Sequence, residues 1–348
     1  MPAMSPHAPQ AALPAANTQA LLRLRQVRVS YRSASGEPVP VVRGVDLDLA
    51  PGEILGLAGE SGCGKTQLLL SILGLNGPQA QLSGSVNYRG RELLGLRAAQ
   101  LNAVRGARIA MVFQDPVTAL NPYLRIGTQL IEVLRSHAKV SGQQARERAC
   151  EMLEAVQIGD ARRRLSQYPH ELSGGMRQRV VIAMALMASP EILLADEPTT
   201  ALDVTVQAQI LSLLRQLCER HGIAVLLVTH DMGVIAELAD RVALMYAGRI
   251  VEQAPVDPIF DHPLHPYSEA LQECVPRLDG PPPRRLASIP GAPPDPAALP
   301  SGCAFAPRCA YRLPVCDERT PELLQATALH WKACHYEGPL GRLRDDTT

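Results

Sequence analysis

The 348-residue chain has no excess charge of either sign: 34 Lys and Arg stand against 34 Asp and Glu, for a formal net charge of zero. A globally basic surface for nucleic acid or for an anionic membrane is thereby excluded, although a local patch is not. Long hydrophobic runs are also missing. The best apolar stretches, residues 180–188 and 223–228, are far shorter than the roughly 20 residues a membrane-spanning helix needs. The N-terminus has no basic start and no apolar centre, so it does not read as a secretion signal. Residues 1–20 are rich in Pro, Ala and Gln and read as a disordered leader. Internal repeats and coiled-coil heptads are absent too. These absences lead to the expectation of a cytosolic chain that needs other subunits to supply a pore if it acts in transport.

What is present is apolar material for a sizeable core, 46% of residues, on a length that suits one large domain and a smaller one. From residue 21 to about 252, short apolar strands alternate with amphipathic helical stretches, which implies an α/β domain with a largely parallel sheet. Strands are expected at 28–31, 53–58, 109–113, 191–195 and 224–229; the last four are nearly continuous apolar runs, as strands buried on both faces require. Residues 143–156 carry apolar side chains at helical spacing. The composition then shifts. Nine prolines fall between residues 276 and 300, a pattern of an extended, semi-rigid linker.

The motifs that carry chemistry lie in the first part. Residues 59–66, GESGCGKT, fit G-x-x-x-x-G-K-[ST] at every fixed position, between the strand 53–58 and a helix starting near Gln67. Its glycines let the backbone wrap a phosphate, and the loop amides present partial positive charge to it. Lys65 is placed to reach the β- and γ-phosphates, and the Thr66 hydroxyl to ligate Mg²⁺. In ILLADE, residues 192–197, an apolar strand ends in two carboxylates. Asp196 suits Mg²⁺ and Glu197 suits an attacking water, though alone such a pair could cap a helix. Gln114 and His230 each follow a strand at the same sheet edge as Lys65 and Asp196, which points to γ-phosphate contacts. In LSGGMRQ, residues 172–178, Ser173 can cap the helical stretch 179–188 while Gly174 and Gly175 leave its amides open. This is a second anion-binding helix start, and a simple P-loop kinase or GTPase has no need of one.

In this order the motifs resemble the ABC ATPase family across residues 21–252: Walker A (59–66), Q-loop (Gln114), signature (172–176), Walker B (192–196) with Glu197, D-loop (201–203) and H-loop (His230). The resemblance implies an α/β P-loop NTPase ABC cassette, with a RecA-like core, a β subdomain and a helical subdomain, plus a small Cys-rich C-terminal extension. It implies ATP and Mg²⁺ as ligands. Tyr31 would stack on adenine, and Gly59, Ser61, Gly62, Gly64, Lys65 and Thr66 would hold ATP. Thr66, Gln114 and Asp196 would hold Mg²⁺; Glu197, His230 and Gln114 would be catalytic. Family members pair head to tail, so Ser173, Gly174 and Gly175, with Asp203 of the D-loop, would complete the ATP site of a partner chain.

A narrower resemblance lies in FQDPVTALNP (113–122), YPHELSGGMRQR (168–179), ADEPTTALDV (195–204) and HPYSEAL (265–271), which look like the oligopeptide/dipeptide importer ATPases. It implies a peripheral subunit at the cytoplasmic face of the membrane, with no nucleic acid as partner, coupling ATP hydrolysis to uptake of di- and oligopeptides. A sister ATPase subunit, or the chain itself, would pair with it beneath two permease chains fed by a solute-binding protein, and residues 115–123 would dock on the permeases. Import of nickel or another small solute is the alternative; a soluble non-transport ABC ATPase is a remoter one. The implied boundaries are a cassette at 21–260 and an extension at 261–348, with the proline-rich linker at 276–300 and a Cys-rich part at 301–336. The chain departs from the family at Cys63, where Ser is usual; a thiol there is expected to fit and to sensitise the loop to alkylation.

Four of the eight cysteines, Cys303, Cys309, Cys316 and Cys334, crowd into the tail; Cys63, Cys150, Cys218 and Cys274 are scattered. In a reducing cytosol, clustered thiols favour a metal over disulfides. Their wide spacing does not match zinc ribbons, and four thiolates suit zinc or an iron–sulfur cluster alike. The resemblance to peptide-importer ATPases favours a [4Fe-4S] cluster, with zinc or free buried thiols as alternatives. A unit this small usually needs such a staple to fold. His262, His265, His330 and His335 lie nearby and read as structural or surface residues.

Overall fold

The computed structural model describes residues 20–33, 36–200, 202–275 and 288–341. The leader up to residue 19, Ala201 of the D-loop and the first part of the proline-rich linker lie outside the described residues. The chain opens with β1 (Leu22–Arg32), β2 (Pro38–Leu49), β3 (Ile54–Ala58), α1 (Lys65–Leu73), β4 (Gln81–Tyr88) and β5 (Arg91–Glu92). It continues through α2 (Ala98–Asn102), β6 (Ile109–Val112), α3 (Pro116–Ala119), α4 (Ile126–His137), α5 (Gly142–Ala155), α6 (Ala161–Arg164) and α7 (Gly174–Leu186). Then come β7 (Ile192–Asp196), α8 (Val204–His221), β8 (Ala224–Thr229), α9 (Met232–Leu238), β9 (Arg241–Tyr246) and β10 (Arg249–Pro255). The tail adds α10 (Val256–Asp261), α11 (Pro266–Glu273), α12 (Val315–Glu318), β11 (Leu324–Thr327) and β12 (His330–Lys332).

Two sheets organise these elements. The larger has the order β11-β12-β10-β9-β3-β8-β7-β6. Its centre, from β9 to β6, is parallel, while β10, β12 and β11 are antiparallel additions. Every residue of β3, β7 and β8 is buried, which explains their unbroken apolar runs. Gly56 of β3 is required by packing: a Cβ there would lie 2.4 Å from Cδ1 of Ile235 on α9. The smaller sheet, β2-β1-β4-β5, is antiparallel. It encloses with β3, α1 and β8 an apolar core that includes Leu24, Val29, Leu57, Leu69 and Leu226. A second core gathers α4, α5, α7 and α8 around Leu130, Leu153, Ile182 and Leu214. These are the β and helical parts expected of the cassette. Among the described residues no helix is long and apolar enough to cross a membrane.

The expected strand at 224–229 is β8 itself, and the expected strands at 53–58, 109–113 and 191–195 differ from β3, β6 and β7 by one residue at their ends. Two differences are larger: β1 begins at Leu22 rather than 28, and α7 begins at Gly174 rather than near 179. Two consecutive glycines have poor helix propensity, yet Ser173 caps the helix by accepting the Met176 N–H at 3.4 Å, so the cap sets the start.

The tail does not stand apart. β12 pairs with β10 through Glu252–Lys332 and Gln253–Trp331, and Phe305 joins Tyr246, Tyr267, Ile235 and Val251 in a third core. At this seam lies Glu252, wholly buried. Its carboxylate accepts the backbone N–H of Leu264 at 2.7 Å and of His265 at 2.9 Å, the Ser268 hydroxyl, and Nε2 of His330 at 2.6 Å. A buried charge is tolerable when its lone pairs are filled in this way. His265 is buried as well, and burial pulls its pKa down to about 4. Its Nδ1 accepts the Tyr267 N–H at 3.0 Å, capping α11. The need of so small a tail for a staple is thus met in part by docking on the cassette.

Candidate functional site

The loop between β3 and α1 carries residues 59–66. Two of its glycines are fixed by space and backbone shape. Gly64 has φ +106, and a Cβ on it would sit 2.6 Å from the Val41 carbonyl oxygen; a Cβ on Gly59 would sit 2.2 Å from that of Met245. The loop therefore threads between β2 and β9 where no side chain fits. Lys65 is buried, and its Nζ donates to the carbonyls of Gly59 at 2.6 Å and Glu60 at 3.0 Å. Thr66 donates through Oγ1 to Oδ1 of Asp196 at 3.2 Å, so the loop and the end of β7 meet as expected. Burial raises the pKa of Asp196, the Thr66 hydrogen bond opposing this and the neighbouring Glu197 charge reinforcing it. A hydroxyl and a carboxylate side by side are the hard oxygen donors that Mg²⁺ takes.

Glu197 is the meeting point of the second group. Gln114 donates through Nε2 to its Oε2 at 2.9 Å, Thr200 donates through Oγ1 to the same oxygen at 2.9 Å, and Nδ1 of His230 lies 2.9 Å from Oε1. Burial disfavours its charge, but hydrogen bonds from His230 and Thr200 and the Lys65 charge outweigh that and leave its pKa below the usual carboxylate value. The residue holds φ +47, a left-handed backbone that is uncommon for a non-glycine residue and tends to occur at active sites. Its N–H is tied to the Val228 carbonyl at 2.8 Å. The side chain is thus an ionised acceptor held by three donors, suited to orient and deprotonate a water. Gln114 reaches Glu197 here, whereas it was also expected beside Thr66 and Asp196.

Tyr31, at the end of β1, is anchored by a hydrogen bond from its hydroxyl to Oε1 of Gln67 on α1. Sequence reasoning missed Gln67, and it missed Thr200; neither type of residue signals its role without its neighbours. The signature and the D-loop form a separate assembly. Ser173 caps α7, and Asp203 caps α8 by accepting the Val206 N–H at 3.0 Å. The two helix starts touch: a Cβ on Gly175 would come within 2.6 Å of Cγ1 of Val206. Gly174 faces open space, and Val204 is 83% exposed.

Two expectations change. Cys63 is 7% exposed, and burial raises its thiol pKa despite the nearby Lys65 ammonium, whose Nζ lies 3.8 Å from Sγ. A shielded, protonated thiol is a poor nucleophile, so the loop is protected from alkylation rather than sensitised. In the tail, no group of three or more Cys, His, Asp or Glu among the described residues is arranged to hold a metal ion. The four tail thiols are neighbours nonetheless. Burial raises the pKa of Cys309 to about 12, with a hydrogen bond from the Tyr311 amide opposing it and the charges of Cys334, Cys303 and Cys316 adding to it. The Tyr311 N–H lies 3.3 Å from Sγ of Cys309, and the Tyr336 N–H lies 3.4 Å from Sγ of Cys334. The donor types suit a soft metal or cluster, while the cage itself is not drawn together.

The family described as "ABC transporter" matches residues 42–200, and that described as "Oligopeptide/dipeptide transporter, C-terminal region" matches residues 251–316. The chain is 46% identical to the oligopeptide transport ATP-binding protein OppD of Salmonella typhimurium, over 91% of this chain and 93% of that one. It is likewise 46% identical to OppD of Escherichia coli, over 93% and 96% of the two chains. Among solved structures, the ATP-binding cassette MJ0796, a dimer bound to ADP and Pi, is similar with a TM-score of 0.61 at 31% identity, covering 68% of this chain and 98% of that one.

Proposed function

The chain belongs to the ABC transporter family, in its oligopeptide/dipeptide branch, and from that premise we propose how its residues power uptake of di- and oligopeptides through partner permeases. It is the ATPase subunit of such an importer. The observation that carries the mechanism is the convergence of Gln114, Thr200 and His230 on Glu197, one residue beyond the Asp196–Thr66 pair.

The amides of residues 59–66, with Ser61, Gly62 and Gly64, cradle the phosphates, and Lys65 leaves its loop carbonyls to reach them. Tyr31 offers its ring to adenine. Thr66, Asp196 and Gln114 would hold Mg²⁺, which when bound supplies neutralisation of charge on the phosphates. Glu197 accepts the proton of the attacking water, Gln114 and Thr200 fix its carboxylate, and His230 holds the opposite oxygen while reaching towards the γ-phosphate. Ser173, Gly174 and Gly175, with Asp203 beside them, complete the site of a second ATPase chain, a sister subunit or another copy; the similar cassette MJ0796 is itself dimeric. Because the α7 and α8 starts touch, closure of that sandwich moves both together.

The chain works at the cytoplasmic face as a peripheral subunit beneath two permeases fed by a solute-binding protein. Residues 115–123 dock there. This segment exposes Val117 at 59% and Tyr123 at 88%, apolar surface that suits a partner helix. The cassette spans 21–260 and the extension 261–348. In a strain lacking the gene, uptake of labelled di- and oligopeptides is expected to fall to background and to return with wild type but not with Glu197→Gln. Undiminished uptake in a strain with no other peptide importer sinks the peptide assignment and makes nickel the next solute to test.

Cys303, Cys309, Cys316 and Cys334 would be the ligand set for a [4Fe-4S] cluster, with zinc the alternative, once drawn together around it; the group would cross-link the tail. Their shared neighbourhood and the amide hydrogen bonds to sulfur support this reading. Protein purified without oxygen is expected to carry iron and acid-labile sulfide, and Cys309→Ser to lose both. Protein containing neither iron nor zinc removes the metal from the account.

A further inference from the structure

Residue 60 of the phosphate loop is an acid, and the loop's task is to receive a polyanion. Glu60 is a junction of three contacts. Its carbonyl accepts from Lys65, its N–H donates to the Tyr267 hydroxyl at 2.8 Å, and its carboxylate is taken by Arg308. The last pair is bidentate, with Nη1 to Oε2 at 2.6 Å and Nη2 to Oε1 at 3.0 Å, and it joins residues 248 apart in the chain. The Arg308 side chain is only 4% exposed. Its remaining donors are filled as well: Nε donates to the Pro290 carbonyl at 2.8 Å, Nη1 to the Tyr246 hydroxyl at 3.3 Å and Nη2 to the Ile289 carbonyl at 3.3 Å. Five N–H groups thus have five acceptors, which fixes the fork in one orientation.

Around this pair, Tyr246, Tyr267 and Phe305 pack in tilted and edge-to-face pairs with centroids 4.7–5.5 Å apart and floor the loop. Pro293, Pro294 and Leu299 face Ser61 and Gly62 across a cavity of about 270 Å³. The C-terminal extension therefore touches the phosphate loop directly through Arg308 and faces it across the cavity through the proline-rich segment.

We infer that Arg308 is a positioning residue of the ATP site, supplied by the extension: it neutralises Glu60 and holds the loop in the shape that receives phosphate. The inference rests on the reading of residues 59–66 as the phosphate cradle. An uncompensated carboxylate in that loop opposes ATP by like charge, and a guanidinium stays charged at every pH of interest, so the compensation is permanent. Integrity of the extension then bears on affinity for ATP, not only on the fold.

The test is ATP hydrolysis and binding of a fluorescent ATP analogue by the full-length chain, with Lys65→Ala as the marker of the cradle. Arg308→Ala is expected to raise the KM for ATP roughly ten- to a hundredfold, the span of a lost charge-assisted hydrogen bond, with a much smaller fall in kcat. Arg308→Lys recovers part of the affinity, because the charge returns without the fork. The double variant Glu60→Gln, Arg308→Ala recovers most of it, because the repelling carboxylate is gone. A purely structural role for Arg308 gives no such recovery, and that outcome overturns the inference, as does an unchanged KM in Arg308→Ala. Glu60→Gln alone lowers the KM or leaves it; a rise overturns the inference even where Arg308→Ala fails to fold. A wild-type chain that binds ATP no better than Lys65→Ala overturns the cradle reading and the inference with it.

Discussion

Glu197→Gln is expected to keep ATP binding and to lower hydrolysis by roughly 10²–10⁴-fold, the usual loss on removing a positioned base. The argument is geometric. The substitution leaves Thr66, Asp196 and Lys65 untouched, and these make up the cradle. Glutamine has the same length, and its carbonyl can still accept from Gln114 and Thr200, which both bond Oε2. What it cannot do is take a proton. Its amide also turns a donor toward Nδ1 of His230, which now bonds Oε1, so the imidazole loses the acceptor that orients it. Single-turnover hydrolysis and equilibrium ATP binding on the same preparation separate the two effects. Turnover at the wild-type rate would leave Glu197 without the role given to it here.

Glu252→Ala is expected to destabilise the chain by about 3–5 kcal/mol, from the several buried hydrogen-bonding groups it leaves without an acceptor. Glu252 is inaccessible to water and has four donors. Deleting it strands two backbone N–H groups, a hydroxyl and the His330 imidazole, each costing about 1–3 kcal/mol if left unpaired. The loss falls at the seam where β12 meets β10, so the tail loosens first. Urea unfolding read by the fluorescence of Trp331, the sole tryptophan and a member of β12, reports on this seam. An unfolding midpoint within the error of wild type would show that Glu252 does not hold the tail in place.

Much of the cassette was legible because its signals are local. A strand buried on both faces is an unbroken apolar run, and β8 matched its expected limits for that reason. The site residues were legible because each ends a strand of one parallel sheet, and such ends converge on one edge. Gln114, His230, Lys65 and Asp196 could be placed together before any coordinates. The start of α7 was misjudged because Gly174 and Gly175 carry weak helix propensity, and the Ser173 cap overrides it. Glu60–Arg308 and Glu252–His330 had no sequence signal at all: they join residues 248 and 78 apart, and nothing in the local pattern of either partner names the other. The same holds for the tail strand β12, whose three residues, His330–Lys332, are too short to show a period. Cys63 was misread because exposure of a loop residue is decided by what folds over it.

The order of the strands in the large sheet has a consequence for synthesis on the ribosome. β3, which carries the phosphate loop at its end, has β8 on one side and β9 on the other, and both are encoded far downstream of it. At about 5–20 residues per second, β3 waits roughly ten to forty seconds after its own translation for both neighbours to exist. Over that interval an entirely apolar segment, Ile54–Ala58, has no sheet to enter. The nascent chain is then most exposed to mispairing and most dependent on chaperones, and slow codons between β3 and β9 would lengthen that exposure.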